Sequence, residues 1–245
     1  AHASRGVNFK FDESCIKDWN KSVTIPLKNV TVLFKEYYKL YLQTSHKLVK
    51  EQICTRSDND LDVWIMTKFR LFVTDVISHI QSYKLFKLGD YITRFVEQLS
   101  SCYCKFGRNN IKGKNPEVWR ETLATLGYIL HSLSIVLYRI IPNTCSEINR
   151  NLKEMGYLDD GRSLSEYRLK DLVFIEEEGD KTQLIDIVFN HIHAVLTYRA
   201  SVNISGKHPI NKVIFGLQNS EICLLDQIKR YAGLIETEAN VFEIS

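Results

Sequence analysis

Six side chains between Tyr91 and Lys112 recur at steps of four, three, four, three and four: Arg94, Gln98, Ser101, Lys105, Arg108 and Lys112. On an α-helix such steps fall on one face. The spacing therefore predicts a polar stripe ending in three positive charges, backed by Ile92, Phe95, Val96, Leu99 and Tyr103 on the apolar side. Evenly spaced, flexible cations suit a phosphate backbone, because each neutralised phosphate releases condensed counterions. An ordinary solvated helix face shows the same periodicity, so the charge distribution around the stripe matters. Between Glu97 and Glu117 there is no acid, while Lys105, Arg108, Lys112 and Lys114 all fall there. From Glu154 to Asp180 the balance reverses, with Asp159-Asp160 and Glu176-Glu177-Glu178 against Arg162, Arg168 and Lys170. Such asymmetry singles out the basic stretch as the phosphate-facing side, although the formal net charge of +3 alone says nothing about nucleic acid.

Other chemistry finds little support. The six cysteines show no framework spacing and no CxxC, so they read as reduced thiols of a cytoplasmic protein. Cys102-x-Cys104 and His191-x-His193 are too closely spaced to converge on a metal from one helix, and neither has a completing partner nearby, so no metal is expected. No Walker loop occurs. His131 and His208 have no partner set for acid–base work, and no Ser/His/Asp or paired-carboxylate spacing stands out. Trp64 sits just inside a helix start and precedes apolar residues at helical spacing, which points to core rather than to a base-stacking platform. No apolar run approaches the roughly 20 residues that cross a membrane, and the N-terminus lacks a signal-peptide layout. On these residues no catalytic site and no cofactor are expected in this chain.

Periodicity supplies the elements that carry the stripe. A chain of 245 residues can bury a sizeable core, and four prolines with eleven glycines leave room for long helices. Val7, Phe9 and Phe11 alternate as in a strand. Pro26 is expected to open a helix carrying Val30, Leu33, Phe34, Tyr37, Tyr38, Tyr41 and Leu48. After the Ser57–Asp60 turn, Asp60 or Asp62 can cap a second helix, with Ile65, Phe69, Phe72, Val73, Val76 and Ile80 on one side. The Ser82-Tyr83 turn leads into the stripe helix. Asn115-Pro116 starts a fourth, with Trp119, Leu123, Leu126, Leu130, Leu133, Leu137 and Ile141, which Pro142 ends or kinks. Four amphipathic helices with short connections make an up-and-down bundle. Beyond Leu152 the texture changes to an acidic connector, a strand-like Asp171–Ile175, a helix over Leu184–Tyr198, a strand over Lys212–Leu217, a helix over Glu221–Tyr231 and a final strand over Asn240–Ile244. The fold class is mainly α: a four-helix bundle followed by a small α+β domain.

The order of motifs is more specific than any one of them. Asp62-Val-Trp-Ile65, Ser82-Tyr-Lys-Leu-Phe86 and Leu99-Ser-Ser-Cys-Tyr103-Cys-Lys105-Phe-Gly-Arg108-Asn-Asn-Ile-Lys112-Gly113 succeed one another. Together they resemble the D-R-W-I helix start, the A-Y-x-L-Y/F turn and the L-x-N-W-Y-x-R-x-N-R-R-R-L-K-G basic helix of the anticodon-binding domain of class I aminoacyl-tRNA synthetases. The isoleucine enzymes of the cytosolic type are the nearest in pattern. Arg5-Gly-Val-Asn8-Phe-Lys-Phe11-Asp-Glu13 is similar to the R-G-E-N-L-R-F-x-E strand leaving that family's catalytic body. Arg199 through Ile214, with Ile204, Lys207, Pro209 and Val213 in place, is similar to its R-x-x-x-T-I-x-x-K-x-P-L-x-x-V-V segment. The departures are Cys102, Lys105, Asn109 and Asn110, where the family has tryptophan and arginines.

The resemblance implies residues 1–13 as a strand leaving a catalytic body, 14–152 as the anticodon-binding bundle, 153–168 as an acidic connector and 169–245 as a small C-terminal domain. It implies an isoleucine-accepting tRNA as partner, docked by Arg94, Lys105, Arg108 and Lys112, with Arg199 and Lys207 as a second contact. The H-x-G-H and K-M-S-K-S-type loops that hold ATP in the family do not occur in this sequence. Catalysis and ATP are therefore expected in an N-terminal part of the same protein, itself expected to be a monomer. Two alternatives stay open: a synthetase-derived protein-interaction module that has lost tRNA binding, and the equivalent piece of a valine, leucine or methionine enzyme.

Overall fold

The computed structural model describes residues 13–44, 59–158, 161–169, 172, 180–205, 207–214 and 225–244. The expected strand around Val7–Phe11, residue Leu48 and most of Asp171–Ile175 lie outside them. The chain divides into two compact units, Ala1–Glu177 and Glu178–Ser245.

The first unit is helical. Its elements are α1 (Glu13–Trp19), a π-helical turn over Asn20–Thr24, α2 (Ile25–Thr44), α3 (Asp60–Gln81), a 3-10 turn over Leu85–Lys87, and α4 (Leu88–Glu97). A second π-helical turn spans Gln98–Tyr103, and after it come α5 (Cys104–Phe106), α6 (Arg108–Ile111), α7 (Pro116–Leu137) and α8 (Pro142–Glu154). Pro26 does not open its helix, for the chain is helical from Glu13 onward. Proline has no N–H, and its ring crowds the carbonyl four residues back. Here that carbonyl belongs to Ser22, inside the wide turn in which the Ile25 N–H bonds to Asn20. The wider turn lets the helix continue past the proline. Pro142 takes the opposite role: α7 stops at Leu137, and Pro142 sits at the first positions of α8, where a missing N–H is harmless. The bundle therefore gains α8 as a helix separate from α7.

The core keeps to the expected faces. Phe69, Phe72, Phe95, Leu99, Leu126 and Leu133 are buried, and Trp64 is core as its spacing suggested. Phe72 and Phe95 stack at 4.8 Å between centroids across α3 and α4. Ile80, near the end of α3, is exposed rather than buried. After α8 the chain stays on the bundle: Tyr157 packs edge-on against Phe34 and Tyr38 of α2, and its hydroxyl donates to the Ala124 carbonyl of α7 at 3.3 Å.

The second unit comprises α9 (Asp180–Ser201), β1 (Ile210–Val213), α10 (Leu225–Lys229), α11 (Ala232–Ala239) and β2 (Val241–Ile244). The two strands pair in parallel, with Ile210 opposite Val241 and Lys212 opposite Glu243. Ala239 and Val241 pack with Val195 of α9, Ile210 and Val213. The architecture is thus mainly α, with a small α+β portion at the C-terminal end.

Candidate nucleic-acid interface

The basic stretch is held from beneath by a buried carboxylate. Helix α3 is capped by Asn59, whose side chain accepts from the Leu61 N–H at 3.0 Å. Neither Asp60 nor Asp62 acts as the cap. With the cap filled, Asp62 turns inward and has no solvent exposure. It accepts the Tyr103 hydroxyl at 2.5 Å and the Thr122 hydroxyl at 3.2 Å. Three segments, α3, the second π turn and α7, thereby share one carboxylate. Burial, the Asp62 charge and the hydrogen bond to it together push the Tyr103 phenol well above its ordinary value, so it remains a donor.

The π turn over Gln98–Tyr103 reorients the residues after it. One extra residue in the turn rotates the next side chains relative to a regular helix, and both Tyr103 and Cys104 end up buried. Burial raises the Cys104 thiol to about 12. Three residues on, Gly107 allows a close approach: a Cβ there would lie 2.7 Å from the Tyr103 carbonyl oxygen. Gly113 closes the segment at φ 73° against the Trp119 ring, where a Cβ would come within 2.7 Å.

The stripe is therefore carried by a segmented path rather than by the single helix its spacing predicted. Arg94 belongs to α4, Gln98 and Ser101 to the π turn, Lys105 to α5, Arg108 to α6, and Lys112 comes directly after α6. Arg94, Ser101, Lys105, Arg108 and Lys112 are exposed and Gln98 is half-buried. Arg94 lies over the Tyr91 ring at 5.9 Å, and the Lys105 ammonium lies 5.2 Å from the Phe106 centroid. Arg108 and Lys112 join no ion pair among the described residues, which leaves their charge facing solvent. Lys114 and Arg120 extend the exposed positive run.

Comparison with known proteins gives this arrangement a family. The model of the anticodon-binding domain of tRNA ligases matches residues 62–214, well over half of the chain. The chain belongs to the anticodon-binding domain family of tRNA ligases. The match starts at the buried Asp62 and takes in the whole basic stretch. Among curated relatives, a cytoplasmic isoleucine–tRNA ligase of Caenorhabditis elegans is 24% identical over 243 residues, covering 98% of this chain and 21% of that protein. The cytoplasmic isoleucine–tRNA ligase of Schizosaccharomyces pombe is 26% identical over 248 residues, covering 96% and 22%. That of Mus musculus is 23% identical over 253 residues, covering 98% and 20%. The chain spans about a fifth of the length of these relatives. Among the described residues no helix is long and apolar enough to cross a membrane.

In this anticodon-binding family member, the two residues expected as a second RNA contact part ways. Lys207 is exposed in the segment before β1. Arg199 is 2% exposed. Its guanidinium donates to the Ala239 and Asn240 carbonyls at 3.1 and 3.4 Å, to the Ser205 carbonyl at 2.7 Å and to the His208 carbonyl. Arg199 thus ties the turn after α9 to the turn before β2 and is not presented to a polyanion. A planar fork of donors suits such a cluster of carbonyls, and nothing in the local sequence distinguishes that use from phosphate binding. Asp62 could have been noticed in the sequence: an acid flanked by Leu61, Val63 and Trp64, all apolar, sits where a helix turns its face to the core.

Proposed function

We propose that this chain docks an isoleucine-accepting tRNA, as the RNA-binding portion of an ATP-dependent cytoplasmic isoleucine–tRNA ligase. The observation that carries the reading is the exposed run Lys105, Arg108 and Lys112, mounted on the Asp62–Tyr103–Thr122 network inside the family match. Long cations on a rigid base can track a phosphate backbone, and the rigid base reduces the ordering cost of association. Arg94 and Lys207 are further, outlying contacts in this reading. Asn109 and Asn110 hydrogen-bond sugar or phosphate without releasing counterions. Amino-acid activation falls to a part of the protein outside this chain, which is also its covalent partner. The chain itself supplies docking and no chemistry.

The test is a fluorescence titration of the chain with labelled isoleucine tRNA at low salt, with valine and methionine tRNAs as competitors. Saturable binding in which isoleucine tRNA competes best supports the reading. Equal competition by all three keeps tRNA docking and removes isoleucine preference from this portion. No binding at low salt would overturn RNA docking and leave a protein-interaction role, to which the two asparagines in place of family arginines point.

A further inference from the structure

Two asparagines stand among the exposed cations of the basic run. Asn109 and Asn110 both lie in α6; Asn109 is exposed and Asn110 half-buried. Elsewhere in the bundle asparagine serves the fold. Asn59 caps α3, and Asn151 accepts from the Lys35 ammonium and donates to the Glu147 carbonyl. Among the described residues neither the Asn109 nor the Asn110 side-chain amide makes a hydrogen bond. Asparagine is also a poor helix former, and its usual place at a helix start is taken by Gly107, which precedes α6. Local structure gives no reason for an amide at position 109.

Its neighbours supply one. Arg108 is adjacent, Lys105 precedes by four residues and Lys112 follows by three, spacings that bring side chains together along a helical path. The path stays helical across Gly107, whose N–H bonds to the Tyr103 carbonyl and whose carbonyl accepts from Ile111. No acid lies between Glu97 and Glu117 to compete for these cations. A phosphate oxygen only accepts hydrogen bonds, and lysine and arginine meet that need with charged donors. A carboxamide brings an acceptor as well as two donors. The group of a nucleic-acid backbone that uses both is the ribose 2′-hydroxyl, which donates and accepts and which DNA lacks. We propose that Asn109 reads a ribose 2′-hydroxyl of the docked strand, so that this face selects RNA over DNA. The inference rests on the RNA-docking reading and deepens it: Lys105, Arg108 and Lys112 hold the charge of the backbone, and Asn109 identifies its sugar. Asn110 is turned by about 100° from Asn109 around the helix and serves as the control.

The test uses isoleucine tRNA in two forms, one with ordinary riboses and one with fluorine in place of every 2′-hydroxyl. The second keeps the charge of the strand and loses the sugar's donor. Each form is titrated at several salt concentrations against the wild type, Asn109→Ala, Asn109→Arg and Asn110→Ala. The wild type prefers the hydroxyl form by roughly 2- to 12-fold, the worth of one hydrogen bond, and Asn110→Ala keeps that preference. Asn109→Ala loses the same factor on the hydroxyl form and nothing on the fluorinated one. Its slope of log affinity against log salt is unchanged, because no charge is removed. Any effect of fluorine on tRNA shape is common to both proteins and cancels in the cycle. Asn109→Arg adds a cation at the same point and steepens the slope by roughly 0.7–0.9. The inference is overturned if Asn109→Ala loses equally on both forms or loses nothing, or if Asn109→Arg leaves the slope as it was. Equal binding of the wild type to both forms overturns it while keeping RNA docking. Binding to neither form at low salt overturns RNA docking itself.

Discussion

The Tyr103 hydroxyl donates to the buried Asp62 carboxylate at 2.5 Å, across 41 residues of sequence. This bond joins the helix that opens the family match to the turn that launches the basic run. A buried carboxylate tolerates its surroundings only while its lone pairs are met. Tyr103→Phe is therefore expected to lower stability by about 1–3 kcal/mol. The double variant Asp62→Leu with Tyr103→Phe should cost less than the sum of the two single changes. Urea unfolding of the four proteins measures this, and strict additivity would show that the pair is not coupled.

Gly107 and Gly113 are under different constraints. At Gly107 a methyl group meets backbone, the Tyr103 carbonyl, which cannot swing aside. At Gly113 it meets the Trp119 ring at a φ that L-residues rarely adopt. Both Gly→Ala changes should destabilise the unit by more than the roughly 0.5–1 kcal/mol that alanine ordinarily gains over glycine in a helix. A thermal shift to higher Tm in either variant would contradict the close approaches.

Alkaline pH should unfold this protein through its buried acids. Cys104 is raised by burial from 9.0 to about 12, and Cys145 likewise. Tyr103 is raised well above 10.0, first by burial and then by Asp62. In the unfolded chain these groups lose protons near their ordinary values while the folded chain retains them. The unfolded state then binds fewer protons, and stability falls as pH rises. The decline should begin near pH 9 and continue towards pH 12, and Cys104→Ala with Cys145→Ala should flatten its first part. Denaturant midpoints between about pH 7 and pH 11 provide the check, and a midpoint that holds steady across that range would contradict it.

Arg199 should behave as a structural residue. Arg199→Gln leaves backbone carbonyls around it without their charged donor and is expected to cost about 1–3 kcal/mol in the second unit. It should leave the salt dependence of tRNA binding as it was. A lowered salt slope with unchanged stability would return Arg199 to the RNA contacts.

The helices were legible because apolar spacing reports which face is buried, and Phe69, Phe95 and Leu126 obeyed it. What escaped was whatever depends on a single backbone choice. An inserted π residue before Cys104, or a wide turn ahead of Pro26, leaves no periodic trace. Pro142 reads equally as an end or a beginning, since proline is excluded from helix interiors but favoured at their first turn. At the site, exposed lysines were readable from spacing and the apolar neighbours of Asp62 hinted at its burial, whereas its partners Tyr103 and Thr122 and the carbonyls gathered around Arg199 were not, because they meet only once the chain is packed.

The proposed RNA-docking face stands or falls on whether Lys105, Arg108 and Lys112 neutralise phosphates of a docked tRNA. The decisive measurement is the affinity of the chain for isoleucine tRNA across a range of salt concentrations, for the wild type and for Lys105→Gln, Arg108→Gln and Lys112→Gln combined. Each neutralised phosphate contributes roughly 0.7–0.9 to the slope of log affinity against log salt, so the triple variant should flatten it by about 2–3 while unfolding at the same temperature as the wild type. A triple variant that keeps the full slope would show that these residues are an ordinary solvated face and that RNA, if bound, lies elsewhere.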